Sequence, residues 1–263
     1  MAISSEVLEK LWFQICNGLT NEEVANRWWV IIVDRYGEPQ RHYHTLSHLM
    51  EMFALNMVYQ DRISNPDLVG FAIFFHDLIY EPKSKTNEED SAISFKQFAA
   101  ETMMDQEKIN MIDQYILATK THAADDLEDS DLAFFLDFDM AVLGRSWEGY
   151  LKYAHQVRQE YIHIPKETYC SARAEVLTSF LNVKWIYASK EFQEKYEQQA
   201  RKNIQMEIEM LQNGNIPTSH RRKHGSFLPS LCFLKKCVFT AVAILGPIGL
   251  YAYFKSRKNK LRS

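Results

Sequence analysis

An all-α fold is predicted by three observations. Apolar residues recur at helical spacing through most of the first 212 residues, and Asx and proline signals stand where helices would start. No run of period-two alternation is strong enough to make a sheet. At 263 residues, with 46% hydrophobic and 24% charged side chains, the chain suits one sizeable domain, or one domain with an appendage.

The elements follow in order. Val7, Leu8, Leu11, Trp12 and Ile15 form one apolar stripe. Asn21 ahead of Glu22 and Glu23 caps a helix running to about Val33. Gly37-Glu38-Pro39 breaks the chain, and Tyr43 to about Tyr59 reads as the next helix. Asn65-Pro66-Asp67 opens a strongly apolar helix that ends near His76-Asp77, with Glu81-Pro82 as its stop. Asn87 to Ser91 begins an acid-capped helix that continues to about Met104. Helices are then expected over 106–119, 130–136, 147–161, 165–188 and 189–212, the fourth of these with proline at its start.

Asn213 to Ser219 is a composition break, and the chemistry of the chain changes beyond it. Between Gly214 and Ser263 there are ten Lys or Arg and no acid, so the body holds twenty basic side chains against all 34 acidic ones. Cys237 to Phe254 carries no charge over eighteen residues, with Lys235 and Lys236 before it and a basic end after it. A run of that length lies at the short end of what spans a bilayer, and Gly246-Pro247 within it is tolerated in such spans. The domains expected are therefore a body over 1–213, a basic linker over 214–229, a transmembrane helix over 230–254 and a basic tail over 255–263. Equal basic flanks leave orientation undecided by charge. With no signal peptide visible ahead of the body, a single-pass tail anchor with the body on the cytosolic side is the expectation.

An acidic body argues against holding a nucleic-acid backbone. Cys16, Cys170, Cys232 and Cys237 show no paired spacing and are expected as free thiols.

The chemistry concentrates in a few words. His76-Asp77 ends the apolar run Leu68 to Phe75, where ionisable groups are costly unless paired or bound to a metal. His44 and His48, four residues apart, share a helical face, the geometry by which helices present two ligands. Asp137 and Asp139 flank Phe138, so one is expected to point inward while the other caps a helix. His, then His-Asp, then Asp reads as one divided metal site. Arg41 and Tyr43 are placed beside it as an anion clamp and a hydrogen-bond donor.

The order His44, His76-Asp77, Asp139 resembles the metal-binding signature of the HD superfamily of phosphohydrolases. Five ordered blocks carry the resemblance, over 41–48, 75–80, 87–92, 118–122 and 137–144. They are similar to a branch described as predicted metal-dependent HD phosphohydrolases, and the resemblance spans about Ser5 to Gln212. It implies a helical HD domain in which His44, His76, Asp77 and Asp139 bind a divalent cation. Such a mixed nitrogen and oxygen set suits Mn, Fe, Co, Ni or Mg. The implied partner is a phosphorylated small molecule, with Arg41, Tyr43, His48 and Tyr80 on the substrate side, and His48 and His122 are equally candidates for a second metal. Lys120 and His122, with Glu81, Glu88 or Glu89 to orient water, are the expected catalytic groups. The tail departs from the family pattern.

Overall fold

The computed structural model describes residues 2–123 and 127–218. The chain divides after His220, and the second unit, Arg221–Ser263, lies outside the described residues. The expected membrane span over 230–254, most of the basic linker, the basic tail, Cys232 and Cys237 all fall there. No helix among the described residues is long and apolar enough to cross a membrane. The described cysteines, Cys16 and Cys170, are free and buried.

The described part is helical, as the periodicity predicts, and holds no strand, only an isolated bridge between Asn17 and Thr20. The helices are α1 (Ala2–Cys16), α2 (Glu22–Tyr36), α3 (Leu46–Val58), α4 (Pro66–Phe75), α5 (Asn87–Ala99) and α6 (Gln106–Ala118). They continue as α7 (Ser130–Met140), α8 (Trp147–Glu160), α9 (Lys166–Asn182) and α10 (Lys190–Gln212). Short 3-10 turns occupy Gln60–Arg62 and Ala141–Gly144.

Helix α4 is the centre of the fold. Every residue from Leu68 to Phe75 is buried, so the helix is apolar on all sides and must be enclosed. It packs against α1, α3, α5, α6 and α7. Beneath it Trp12 meets Phe98 at 5.1 Å and Phe74 at 5.2 Å between ring centroids, and Phe75 meets Phe98 at 5.4 Å. Each such ring contributes about 1.5–3 kcal/mol when fully buried. This aromatic floor fixes the end of α4, the point from which His76 and Asp77 emerge.

Several boundaries differ from expectation, each through tertiary contacts. Val7 leaves the α1 stripe and is 37% exposed, while Leu8, Trp12 and Ile15 form the buried line. Helix α3 starts at Leu46 rather than Tyr43, because Thr45 caps it by accepting from Ser47 N. Helix α5 stops at Ala99 rather than Met104. Glu101 is drawn away by Trp28 Nε1 at 3.0 Å and by Arg27, and Asp105 caps α6 through Lys108 N. Helix α7 runs on to Met140, past the expected Leu136, which puts both aspartates on it. Helix α9 ends at Asn182 rather than Ala188, because Arg201 binds the carbonyls of Leu181, Val183 and Lys184. Glu197 accepts from Ile186 N and Tyr187 N in the same connection.

Candidate metal centre

Helix α4 delivers the His-Asp doublet at its C-terminal end. On a continuing helix, adjacent side chains diverge by about 100° and rarely share one partner. Here the helix stops at Phe75, His76 is its cap, and Asp77 lies beyond it. His76 keeps helical dihedrals and the chain tightens just after it, with Leu78 N donating to Phe75 O at 3.1 Å. The two side chains meet, with His76 Nε2 at 3.1 Å from Asp77 Oδ2.

His48, on the first turn of α3, comes to the same place. Its Nε2 lies 3.3 Å from His76 Nε2, 4.0 Å from Asp77 Oδ2 and 3.0 Å from Asp139 Oδ1. Asp139 Oδ1 is also 3.8 Å from His76 Nε2. Atoms that ligate one first-row ion at about 2.0–2.2 Å stand about 3–4 Å apart, so the separations among His48, His76 and Asp77 suit a shared cation, with Asp139 against both imidazoles. His48, His76 and Asp77 by themselves form a group with metal-binding spacing.

Hydrogen bonding fixes which atoms could bind. His76 Nδ1 faces the carbonyl of Ile73 at 2.9 Å, and a carbonyl can only accept, so Nδ1 carries the proton. In the neutral ring Nε2 then presents a lone pair to His48 Nε2 and the two carboxylates. Such a grouping is held together by a shared cation or by protons, on His76 toward Asp77 and on His48 toward Asp139. Burial alone would push His76 down, but Asp77 and Asp139 outweigh it and hold the imidazole up at about 9. Burial likewise pushes both carboxyls up. The charge of His76 beside Asp77, and the hydrogen bonds of His122 and His48 to Asp139, bring them below the usual carboxylate range.

Asp137 and Asp139 lie two positions apart on α7 and so face opposite ways. Asp139 turns to the centre, where its second oxygen meets His122 Nε2 at 2.7 Å. Asp137 accepts from Ala188 N at 2.7 Å and Ser189 N at 2.8 Å, and so holds Ser189, the residue that caps α10. Both aspartates are therefore inward, and the expected capping role falls to Ser189. His122 adopts φ 48, a left-handed conformation that costs a non-glycine residue about 1–2 kcal/mol. That turn ends α6 and carries the imidazole to Asp139.

His44 occupies a neighbouring position. Its Nδ1 meets Glu160 Oε2 at 2.7 Å, so the ionised carboxylate fixes the proton there and leaves Nε2 as the ring's ligand atom. Burial by itself would push His44 down, and the carboxylates of Glu160, Asp77 and Asp139 reverse that. The contacts thus put His48, expected at a second metal or on the substrate phosphate, at the heart of the cluster, while His44 lies at its edge.

Glu160 is the residue the sequence reading missed. Its Oε1 accepts from the backbone N–H groups of His42, Tyr43 and His44 at 2.7, 2.7 and 3.0 Å. Its Oε2 accepts from His44 Nδ1 and, at 2.8 Å, from the Tyr80 hydroxyl. Burial pushes this carboxyl up, but His44 and the backbone donors hold it at about 2. The available signal was its place in line with Tyr153 and Val157 on α8, an acid continuing an apolar stripe at helical spacing.

Two residues expected on the substrate side serve the frame instead. Arg41, placed as an anion clamp, donates to the carbonyls of His44 at 3.2 Å, Asp77 at 2.7 Å and Leu78 at 2.8 Å. It ties the His44 segment to the His-Asp turn. Tyr80 stacks on His44, with ring centroids 4.2 Å apart, as well as bonding Glu160. Tyr43 lies against His48 at 4.9 Å. Lys120 and Glu89, expected in catalysis, pair with each other at the surface, and Lys120 also meets Lys85 O at 3.1 Å. Glu81 is exposed and accepts from Lys83 N within its own turn. Among the described residues, no hydrogen bond or ion pair joins Lys120, Glu89 or Glu81 to the cluster.

Comparison of the chain with protein-family models, curated proteins and solved structures finds no match.

Proposed function

We propose that the chain is a metal-dependent phosphohydrolase of the HD type, cleaving a phosphate ester or anhydride in a nucleotide-like small molecule. The observation that supports this reading is the convergence of His48 Nε2, His76 Nε2, Asp77 Oδ2 and Asp139 Oδ1, three of whose separations are 3.3, 3.1 and 3.0 Å. Two nitrogens and two oxygens, with His44 Nε2 as a further nitrogen, fit Mn, Fe, Co, Ni or Mg better than a thiolate-seeking ion. When bound, such an ion supplies a Lewis acid for phosphoryl oxygens and lowers the pKa of water toward neutrality. The protein's part is orientation. Glu160 and Tyr80 aim His44, His122 aims Asp139, and Arg41 holds the backbone of the His-Asp turn. The side chains of Asp77 and Asp139 remain 18% and 15% exposed, so the centre opens to solvent on their side.

Purification of the full chain without chelator, metal analysis, and a phosphate-ester and nucleotide panel with added Mn or Mg test this reading. Near-stoichiometric metal with turnover is expected. Metal without turnover of any ester favours a ligand-sensing or scaffolding use of the same fold. A folded chain that takes up neither Mn nor Co contradicts the centre itself.

Membrane attachment is part of the proposal, supported by the uncharged run Cys237–Phe254 and its basic flanks. The full chain is expected to stay with membranes through carbonate extraction, and its release would contradict the anchor.

A further inference from the structure

We propose that Arg145 recognises a phosphate oxyanion of the substrate beside the four-ligand centre, with Tyr43 as its neighbour and Glu51 as its resting counter-ion. This rests on the reading of the centre as a phosphohydrolase site. Phosphoryl chemistry calls for positive charge on the non-bridging oxygens in addition to the ion, and a guanidinium suits that task through its planar fork.

The cations near the centre differ in what they have left to offer. Arg41 is committed to three backbone carbonyls, and its side chain is fully buried. Lys120 is held by Glu89 and Lys85 O. Arg145 is different. Its side chain is 26% exposed and pairs through Nη2 with Glu51, itself 21% exposed. Among the described residues Nε and Nη1 have no partner, so one edge of the fork is open.

Position supports the assignment. Glu51 lies three residues after His48 on α3, on the same face, where Cβ atoms are about 5–6 Å apart. Arg145 follows Asp139 by six residues, on the turn that leaves α7. The pair therefore joins the two helices that deliver His48 and Asp139. Tyr43, whose ring lies 4.9 Å from that of His48, sits in the field of both Glu51 and Arg145.

The turn carrying Arg145 is also held more firmly than a solvated surface charge requires. Asn203, fully buried on α10, donates to Leu143 O and Arg145 O, both at 2.8 Å. Tyr187 donates to Met140 O at 3.2 Å. Gly144 permits this closeness, since a Cβ there would meet Tyr196 Cβ at 2.6 Å. Backbone pinned from behind, with a guanidinium half open in front, is the arrangement of a preorganised anion site.

The test uses the full, metal-loaded chain with inorganic phosphate as probe, in Arg145→Ala, Arg145→Lys and Glu51→Gln. Calorimetry reads phosphate affinity, and kinetics read KM and kcat for any ester the wild type cleaves. Arg145→Ala is expected to weaken phosphate binding and raise KM by about tenfold or more, with metal stoichiometry unchanged. Arg145→Lys should recover only part of this, because it lacks the fork. Glu51→Gln, which removes a competing anion, should leave phosphate binding equal or tighter. Opposite directions for the Arg145 and Glu51 variants distinguish an anion site from a structural ion pair. If both variants lower the melting temperature alike and leave phosphate affinity unchanged, the inference is overturned while the metal centre stands. If the wild type binds no metal, it is the reading of the centre that fails.

Discussion

Asp77→Ala is expected to abolish metal retention and to lower hydrolysis by about a thousandfold or more, while leaving the fold intact. The geometry separates those two outcomes. The Asp77 carboxylate is partnered within the cluster, by His76 Nε2 at 3.1 Å. What holds this turn is Arg41, and it holds the carbonyls of Asp77 and Leu78, which alanine retains. Near-native helical content with loss of bound metal is therefore the expected pattern, read by circular dichroism and metal analysis on the same preparation. A variant that keeps both metal and turnover would show that Asp77 is not a ligand.

Changing Glu160 should produce the second large effect, and on two separate properties. Five donors converge on this buried carboxylate: three backbone N–H groups, the His44 ring and the Tyr80 hydroxyl. Removing it leaves them competing for whatever water can enter. Glu160→Ala is expected to destabilise the protein by about 3–5 kcal/mol, the range seen when one partner of a buried charged pair is deleted. Glu160→Gln keeps the volume but lacks the charge that fixes the proton on His44 Nδ1. Its metal affinity is expected to fall by about 10–100-fold, as for other changes to carboxylates that orient ligating histidines. Thermal unfolding and metal titration read the two effects independently. If Glu160→Gln lowers the melting temperature but leaves metal affinity unchanged, then His44 is not a ligand and Glu160 serves the fold alone.

Much of the helical order was legible in the sequence because it depends on local signals. Asn21 caps α2 by accepting from Val24 N at 2.9 Å, and Pro66 stands at the start of α4, both as their residue types predict. The ends of α5 and α9 were not legible. They are set by Glu101 reaching α2 and by Arg201 reaching back from α10, contacts over 73 and 20 residues of sequence. Periodicity carries no information about such partners.

The site divides in the same way. His76, Asp77 and Asp139 stand out because charge at the end or in the middle of an apolar run needs a partner. The placing of His48 ahead of His44 in the cluster depends on where α3 begins, and that is fixed by Thr45 and by the hold of Glu160 on the preceding backbone. Glu160 itself lies 116 residues from His44 and belongs to no local pattern of ligands. Arg41 looked like an anion clamp because an arginine beside histidines often is. Only the three-dimensional path of the chain shows that its donors already have carbonyl partners.

The most direct test of the centre is anomalous X-ray scattering from crystals of the protein grown with Mn or Co, recorded at the absorption edge of the added metal. A single peak about 2.0–2.3 Å from His48 Nε2, His76 Nε2, Asp77 Oδ2 and Asp139 Oδ1 is the expected result. Metal-saturated crystals with no peak there, and with the two imidazoles and two carboxylates closed on one another through hydrogen bonds, would contradict it.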